Sequence, residues 1–483
     1  MIYVDLQNSD FYDDAQVLIK SFYPRMQTSL LKDGSRLTDE DTVIYADTSM
    51  CEGVSKKEAH DRFKKNLYLK LQGDTGKNLP WGYLTGVRPS KIAYSMLEAG
   101  NSDEEIMSEF EEKHFVSNDK AELAMQVAKT EKKILEDIDY TNGYSIYIGI
   151  PFCPTTCLYC SFTSYSLAAN RSKVDLYLDA LVKEMRFVAD RMKGRRLDTV
   201  YFGGGTPTTL EPEQLDRLLN ELEADFDMST VKELTVEAGR PDSVTAQKLE
   251  VLKKHGVDRI SINPQTMNDK TLEIIGRRHS ATQVEEAFKL ARSVGFDNIN
   301  MDIILGLPGE GINELRYTLD KIKELKPESL TVHSLAIKRA AALNIWREKY
   351  EDLKFENSDE TVSLAQKYAG DIGCMPYYMY RQKNMAGNLE NVGYSVPGKE
   401  CIYNILIMEE KQTIIAMGAG ASTKAVFDAD QPSPRIERVE NVKDLTSYIS
   451  RIDEMIERKR IFFGNRNDRN LLGRRNNCNG RSR

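Results

Sequence analysis

The chain has 483 residues, of which 41% are hydrophobic and 29% are charged, and its formal net charge is −8 at pH 7. This composition is typical of a globular protein with two or three domains, and no apolar stretch approaches the roughly 20 residues that a membrane span requires. The negative charge argues against a broad nucleic-acid surface, which needs a basic stripe. Seven cysteines, an odd number thinly spread, argue against a disulfide framework. Because the first residues also lack the features of a secretion signal, we expect a cytoplasmic protein.

Residues 1–140 are predicted to form a separate α+β domain. Strand-like segments at Met1–Leu6 and Thr42–Tyr45 precede a helix-like segment at Lys56–Leu71 and a further helical stretch that reaches Asp137. This mixture differs from the regular alternation that begins at about residue 141, and the change of pattern marks the predicted domain boundary.

From residue 141 to about 340, β-rich runs alternate with helix-period segments, which is the pattern of a parallel sheet covered by helices. The six predicted strands are Ser145–Ile150, Thr199–Phe202, Glu233–Glu237, Arg259–Asn263, Asn298–Leu305 and Ser329–Leu335. The predicted helices are residues 174–192, Glu211–Leu222, Asp242–His255, Ala281–Val294 and Ile312–Leu325. Six units are too few for a closed eight-unit barrel. We therefore expect an α/β fold built on a partial (β/α)6 barrel, with its site at the carboxyl ends of the strands.

Residues 341–464 are predicted to form a C-terminal α+β extension that covers the substrate. It contains the aromatic segment Tyr377–Tyr380, a glycine-rich turn at Gly418–Ser422 and a helix at Val442–Lys459. Residues 465–483 are rich in asparagine, arginine and glycine, and we expect them to form a disordered tail.

Three cysteines, Cys153, Cys157 and Cys160, follow the first predicted barrel strand on one loop. Their spacing suits neighbouring irons of one cuboidal 4Fe–4S cluster, which leaves the fourth iron without a local protein ligand. An open iron could chelate the amino and carboxylate groups of S-adenosylmethionine (SAM) and pass one electron to its sulfonium. A zinc site is an alternative, but structural zinc usually takes four ligands in paired spacings, and none of the five histidines is nearby in the sequence. Coincidental spacing is the third possibility.

The CxxxCxxC loop after the first strand resembles the signature of the radical SAM superfamily. The string Tyr147-Ile-Gly-Ile-Pro-Phe-Cys153 is similar to the oxygen-independent coproporphyrinogen III dehydrogenase (oxidase) family. Trp81-Gly-Tyr-Leu-Thr-Gly-Val-Arg-Pro-Ser90 is similar to the branch of that family with an extra N-terminal domain. The resemblance covers about residues 145–425. It implies a 4Fe–4S cluster held by the three cysteines, and two bound molecules of SAM.

The resemblance also implies a set of SAM contacts, most of which lie at strand ends. Glycines in the turn Gly203-Gly204-Gly205-Thr206-Pro207 permit close backbone approach to a ligand, and a carboxylate at Glu237 could accept a charge-assisted hydrogen bond. The predicted cofactor-binding residues are Tyr147, Tyr159, Gly204, Gly205, Thr206, Glu237, Gln265, Arg277, Asp302 and Ala336, and the turn at Gly418–Ser422 is a further contact. Taken singly, each position could instead be a tight turn, a core aromatic residue or a solvated charge.

In the resembled family, a 5'-deoxyadenosyl radical removes a hydrogen atom beside a propionate carboxyl group, carbon dioxide and one electron leave, and a vinyl group remains. Two rounds convert coproporphyrinogen III to protoporphyrinogen IX in heme biosynthesis, with a flavodoxin- or ferredoxin-type protein as the electron donor. A substrate with four carboxylates needs fixed cations. Our candidates are Lys338, Arg339 and Arg381, for which exposure as solvated charges is the alternative.

Phe162 stands where the best-matched enzymes of the family have a fourth cysteine. Relatives without that cysteine include a heme-binding chaperone, so a binding protein is the first alternative function. The cysteine loop has no histidine, and the late turn reads Gly418-Ala-Gly-Ala-Ser422; both features favour the enzyme. An RNA-modifying radical enzyme is the second alternative, which the acidic charge and the lack of a recognisable RNA-binding module oppose.

Overall fold

The computed structural model describes residues 1–464 except for 25, 33–34, 36, 87, 336–356, 382–388, 430 and 432–433. Three predicted site residues, Ala336, Lys338 and Arg339, and the predicted tail at residues 465–483 lie outside the described residues. No helix in the described ranges is long and apolar enough to cross a membrane.

The first 84 residues form a small α/β unit with its own hydrophobic core. Its strands are β1 (Ile2–Leu6), β2 (Thr28–Leu30) and β3 (Thr42–Ala46), which pair in parallel in the order β2–β1–β3, and its helices are α1 (Tyr12–Phe22) and α2 (Lys56–Thr75). The hydroxyl of Ser55 caps α2 by accepting a hydrogen bond from the Glu58 N–H, and Gly76 ends the helix in a left-handed conformation, which glycine adopts without strain.

The next helices join the main core of the protein instead. They are α3 (Ser90–Glu98), α4 (Asp103–Ser108) and α5 (Asn118–Leu135), with a π-helical turn at Glu109–Lys113. Buried residues of α3 and α5 belong to the same hydrophobic cluster as the large sheet, and so does Trp81. The domain boundary near residue 140 stays a prediction.

Thirteen strands follow residue 140 in the described part of the chain. They are β4 (Gly143–Ile150), β5 (Phe152–Cys153), β6 (Tyr165–Ser166), β7 (Arg196–Gly204), β8 (Glu233–Glu237), β9 (Arg259–Ser261), β10 (Ile299–Leu305), β11 (Ser329–Ser334), β12 (Met375–Tyr380), β13 (Asn391–Ser395), β14 (Ile414–Met417), β15 (Ser422–Phe427) and β16 (Arg435–Glu440). β5 pairs with β6, and the other eleven form one sheet in the order β12–β13–β11–β10–β9–β8–β7–β4–β14–β15–β16. Because β12 and β16 do not pair within the described residues, the sheet is open there.

Six neighbouring strands of this sheet, β4 and β7 to β11, pair in parallel. The helices of this part are α6 (Leu167–Asn170), α7 (Val174–Arg191), α8 (Pro212–Asp225), α9 (Ala246–Lys254), α10 (Asp269–Ile274), α11 (Ala281–Val294), α12 (Ile312–Leu325), α13 (Asp359–Asp371), α14 (Ile402–Glu409), α15 (Leu445–Ser450) and α16 (Ile452–Gly464). Short 3₁₀ turns lie at Ser9–Phe11, Ser49–Cys51, Arg171–Lys173, Pro207–Thr209, Met228–Thr230 and Pro241–Ser243. The predicted α/β fold with a partial (β/α)6 barrel is confirmed.

The C-terminal region extends both edges of the parallel strands. β12 and β13 pair antiparallel beside β11, while β14 runs parallel to β4 and is followed by the antiparallel pair β15 and β16. The single helix predicted at Val442–Lys459 is wrong. Asp444 caps α15 by accepting a hydrogen bond from the Ser447 N–H, and Arg451 has a non-helical backbone (φ −117°) that separates α15 from α16.

Alternation along the parallel strands separates an apolar face from a polar interior. On β4, Ile146 and Ile148 lie in the main hydrophobic cluster, whereas Tyr147 between them stacks on Tyr201 of β7, which is its partner in the sheet. The same alternation places polar side chains of the other strands on the interior face, and the site is built from these side chains.

Candidate active site

The cysteine loop begins at the carboxyl end of β4. Cys153 ends β5, and the parallel pairing of β5 with β6 closes a loop at residues 154–164 that carries the other two cysteines. None of the three cysteines forms a disulfide within the described residues. Burial raises the pKa of Cys153 to about 11; the hydrogen bond from Thr206 lowers it, while the nearby Cys160 and Cys157 raise it further. When all three thiols are ionised, the thiolates repel one another, and bound iron cations would offset this repulsion.

In the described ranges, no three His, Cys, Asp or Glu side chains converge as ligands of a single metal ion. In a cuboidal cluster each cysteine ligates a different iron, so its sulfur atoms do not have to meet at one point. The donor set of three thiols on one loop therefore fits a 4Fe–4S cluster.

The glycine turn after β7 packs directly against this loop. The Gly205 N–H donates to the Ile150 carbonyl at 2.8 Å, and the Thr206 N–H donates to the Phe152 carbonyl at 2.8 Å. A Cβ at Gly205 would lie 2.6 Å from the Phe152 carbonyl oxygen and 3.0 Å from the Cys153 sulfur. The Thr206 hydroxyl also lies 3.6 Å from that sulfur. The absence of a side chain at Gly205 is therefore what lets the turn reach the cysteine loop.

Glu237 ends β8 among aromatic side chains of the interior. The Tyr201 hydroxyl donates to its carboxylate at 2.6 Å. The Tyr201 ring stacks on Tyr403 of α14, with a centroid distance of 4.4 Å, and the Tyr147 ring lies 6.2 Å from both. Burial raises the pKa of Glu237 from 4.5 to about 7; the Tyr201 hydrogen bond opposes this shift, and the charge of Asp302 adds to it. A carboxyl group in such a setting gains from an ammonium or hydroxyl partner.

Gln265 and Arg277 lie at the end of the fourth parallel strand. Gln265 has a left-handed backbone (φ 66°) and exchanges backbone hydrogen bonds with Asp302 and Ile304 of β10. The guanidinium of Arg277 binds the backbone carbonyls of Asn263, Pro264 and Gly239. Arg277 thus holds two strand ends together, and its predicted contact with SAM stays a prediction.

Asp302 on β10 faces His333 on β11. Their nearest side-chain atoms are 3.9 Å apart, Asn300 donates to the carboxylate at 2.7 Å, and the Tyr380 hydroxyl lies 3.3 Å from the other ring nitrogen of His333. Burial, the largest single influence, raises the pKa of Asp302, but interactions with His333, Asn300 and Thr331 together outweigh it, so the pKa is lowered. Asp302 is therefore a carboxylate at neutral pH.

Several buried polar atoms of the interior have no hydrogen-bond partner within the described residues. Five of them belong to four side chains at every second position along β9 and its continuation: Arg259, Ser261, Asn263 and Gln265. Buried polar groups are nearly always satisfied, by protein, water or ligand. The row therefore fits a polar ligand such as SAM in the interior.

The late turn at Gly418–Ser422 packs against β4 and the cysteine loop at the same end of the sheet. A Cβ at Gly418 would lie 2.6 Å from the Gly149 carbonyl oxygen on β4, and a Cβ at Gly420 would lie 2.6 Å from the Thr163 hydroxyl on the cysteine loop. Tyr159, within the cysteine loop, packs against a small apolar cluster that includes Leu158. The predicted late turn therefore lies next to the loop, and the predicted Tyr159 is part of it.

Arg381 has a different environment from the one expected of a substrate-binding cation. Its guanidinium packs 5.5 Å from the Trp81 ring and donates to the Leu84 carbonyl at 2.6 Å. Burial lowers the pKa of Arg381 to about 10, while the charge of Glu390 opposes the shift. These contacts join β12 to the N-terminal segment and give no support to a role in carboxylate binding.

The sequence analysis did not identify five residues of this site: Tyr201, Asn263, His333, Tyr403 and Arg240, whose guanidinium lies 3.8 Å from the Cys157 sulfur. Strand alternation could have identified Tyr201, Asn263 and His333, because each lies two residues from a predicted site residue or at the same strand end. Tyr403 gave no such signal, since it reaches the interior from a helix far along the chain.

Comparisons with known proteins agree with this geometry. The profile of the Radical SAM superfamily matches residues 147–322. The chain is 42% identical over 414 residues to the oxygen-independent coproporphyrinogen-III oxidase-like protein HemZ of Bacillus subtilis, which covers 84% of this chain and 82% of that protein. It is 40% identical over 194 residues to the heme chaperone HemW of B. subtilis, covering 40% and 50% of the two chains. The structure of coproporphyrinogen III oxidase (HemN) from Escherichia coli has a similar fold, with a TM-score of 0.52, 21% identity and coverage of 70% and 73%.

Proposed function

The chain belongs to the radical SAM family that includes the oxygen-independent coproporphyrinogen-III oxidase-like proteins, and on this premise we propose that it decarboxylates coproporphyrinogen III oxidatively to protoporphyrinogen IX. The family uses a 4Fe–4S cluster and SAM. The observation that carries the proposal is that the cysteine loop, the glycine turn, Glu237, Gln265 and Asp302 lie at one end of the parallel strands.

In this proposal Cys153, Cys157 and Cys160 hold the cluster, and the strand-end residues hold two molecules of SAM. When bound, these groups supply a 5'-deoxyadenosyl radical that abstracts a hydrogen atom from the substrate. Glu237 accepts a hydrogen bond from an ammonium or ribose hydroxyl, and Asp302 supplies a fixed negative charge.

The protein's own contribution is to position the ligand and to exclude water. The stacked rings of Tyr147, Tyr201 and Tyr403 form an apolar wall beside Glu237. The buried amide oxygen of Gln265, which has no hydrogen-bond partner within the described residues, supplies a polar contact for a bound ligand. Exclusion of water from such a site protects a reactive intermediate from side reactions.

Heme binding without decarboxylation is the second candidate function. Phe162, at the position of the fourth cysteine, has 70% of its surface exposed. Relatives named heme chaperone also match this chain over part of their length. An exposed aromatic side chain beside the cysteine loop offers a surface on which a flat tetrapyrrole can stack.

Anaerobic reconstitution with iron and sulfide, followed by reduction in the presence of SAM and coproporphyrinogen III, tests the proposal. We expect 5'-deoxyadenosine, carbon dioxide and a divinyl product. Cleavage of SAM with unchanged coproporphyrinogen III and tight binding of heme would contradict the enzyme and support the chaperone.

Cys157→Ser is expected to abolish the cluster absorbance, since it removes one of three ligands. Cys51→Ser is the matched control, because Cys51 donates only to the Ala59 carbonyl in the N-terminal unit. A full 4Fe–4S spectrum in Cys157→Ser would contradict the assigned ligands. The cytoplasmic location, the flavodoxin- or ferredoxin-type donor and the division into domains stay predictions.

A further inference from the structure

Arg240 lies three residues after the end of β8, and its guanidinium contacts the cysteine loop. The side chain is buried, with 3% of the residue exposed. One terminal nitrogen, Nη1, lies 3.8 Å from the Cys157 sulfur and donates to the Thr155 hydroxyl at 3.1 Å and carbonyl at 3.3 Å. Arg240 therefore contacts both a cysteine of the loop and the residue two positions before it.

Asp242 fixes the orientation of this guanidinium. Its two carboxylate oxygens accept from Nε at 3.0 Å and from Nη2 at 2.9 Å, which is the two-pronged geometry that arginine forms with carboxylates. Nη1, which takes no part in this pairing, is left facing the loop.

Neighbouring basic side chains do not replace Arg240. The two terminal nitrogens of Arg277 donate to three backbone carbonyls. The pKa of His279 is lowered to about 3 because the ring is buried and because Arg277 and Arg240 are close, so His279 is neutral near pH 7. Asp242, whose carboxylate is 4.0 Å from the His279 ring, is already paired with Arg240.

We propose that Arg240 is a positioning residue for the 4Fe–4S cluster, which orders the loop around Cys157 and raises the reduction potential of the cluster. The inference rests on the proposed cluster site and deepens it. Hydrogen bonds to cluster sulfurs and nearby charge are among the factors that set these potentials. A buried cation stabilises the reduced form more than the oxidised form, since reduction adds one negative charge.

The redox step is a one-electron reduction. The electron comes from a low-potential flavodoxin- or ferredoxin-type donor, or from dithionite in the experiment, and goes to the cluster. Arg240 takes up no proton because arginine is already protonated at any relevant pH. The guanidinium therefore changes the equilibrium without taking part in proton transfer.

The test uses the full reconstituted chain without substrate and measures iron content and the fraction of reduced cluster at fixed potential by electron paramagnetic resonance. Arg240→Gln is expected to lower the ratio of reduced to oxidised cluster about tenfold, which is about 59 mV for a one-electron couple. Arg240→Lys, which keeps the charge but not the planar fork, is expected to fall between Arg240→Gln and the wild type. Arg217→Gln is the control, because Arg217 forms an exposed pair with Asp179 on the outer helices.

A wild-type ratio in Arg240→Gln with full iron content would overturn the proposal. If Arg240→Gln takes up no iron, the test uses Arg240→Lys and Asp242→Asn instead. A ratio of reduced to oxidised cluster at least twofold below that of the wild type in either variant supports the proposal. An unchanged ratio in both variants overturns it. Failure of the wild-type chain to bind a cluster would instead contradict the cluster site itself, so the two failures are distinguishable.

Discussion

Glu184 on α7 and Lys459 on α16 form an ion pair with an Oε1–Nζ distance of 2.7 Å, and both side chains are fully buried. The carboxylate also accepts hydrogen bonds from three further groups: the Gly418 N–H at 2.9 Å, the Tyr448 hydroxyl at 2.6 Å and the Asn441 amide at 2.8 Å. A buried ion pair is stable when its remaining hydrogen-bonding capacity is filled in this way. The pair therefore connects α7 with α16, and the hydrogen bond from Gly418 to Glu184 joins these helices to the turn beside the cysteine loop.

Lys459→Met is expected to destabilise the protein, because it leaves the Glu184 carboxylate buried without a cation. Breaking a buried pair in this way costs about 3–5 kcal/mol. Lys183→Ala is the matched control: the Lys183–Asp453 pair joins the same two helices at 2.6 Å, but both side chains are exposed, and such pairs contribute about 0–1 kcal/mol. Denaturant unfolding of both variants under anaerobic conditions measures the difference. Equal, small losses would show that the buried pair does not hold the helices.

The Trp81 indole joins the N-terminal segment to the edge of the large sheet. Its N–H donates to the Glu390 carboxylate at 2.7 Å, and the other oxygen of that carboxylate accepts from Lys120 at 2.8 Å. Trp81→Phe keeps an aromatic ring but removes the donor, so we expect a loss of about 1–3 kcal/mol in the free energy of unfolding. Tyr83→Phe is the comparison, since the Tyr83 hydroxyl pairs with His114 inside the N-terminal segment. An unchanged free energy of unfolding in Trp81→Phe would contradict a stabilising role of the Trp81–Glu390 hydrogen bond.

Periodicity predicted the parallel strands to within a few residues, and the strand Glu233–Glu237 and the helices Ala281–Val294 and Ile312–Leu325 were predicted with their observed bounds. These elements follow local rules, because alternating and 3.6-residue patterns are set by burial on one face. The environment of Arg381 and the entry of Tyr403 into the interior depend on contacts between residues about 200–300 positions apart. A local pattern of hydrophobic residues carries no information about such distant contacts, so the sequence alone did not predict them.

The carboxyl group of Glu237 makes stability depend on pH. Its pKa is raised from 4.5 to about 7, chiefly by burial, so the folded chain binds an additional proton between these values. The free energy of unfolding therefore falls as pH rises through this window and levels off above it. In Glu237→Gln this contribution disappears. We expect the free energy of unfolding of the wild type minus that of Glu237→Gln, both without cluster, to fall steadily as the pH rises from about 5 to about 7, so that Glu237→Gln becomes the relatively more stable chain.

Denaturant unfolding at several pH values measures this difference, and Glu250→Gln reports the effect of the same substitution at an exposed position of α9. A constant difference between wild type and Glu237→Gln across the window would contradict the raised pKa.

SAM, which carries an ammonium group, is expected to bind more tightly to the wild type at about pH 8 than at about pH 6, because the carboxylate form of Glu237 predominates at about pH 8.

Gly205→Ala tests how closely the glycine turn must approach the cysteine loop. The added methyl group would lie 2.6 Å from the Phe152 carbonyl oxygen and 3.0 Å from the Cys153 sulfur, so the turn or the loop must move. We expect less iron per chain after reconstitution and a weaker cluster absorbance, although the outer helices remain folded. Gly370→Ala is the control, because a Cβ at Gly370 in α13 meets no atom within 4 Å and alanine favours the helix by about 0.4–1 kcal/mol. Full cluster content in Gly205→Ala would mean that the loop tolerates displacement and that the close approach is not required for binding the cluster.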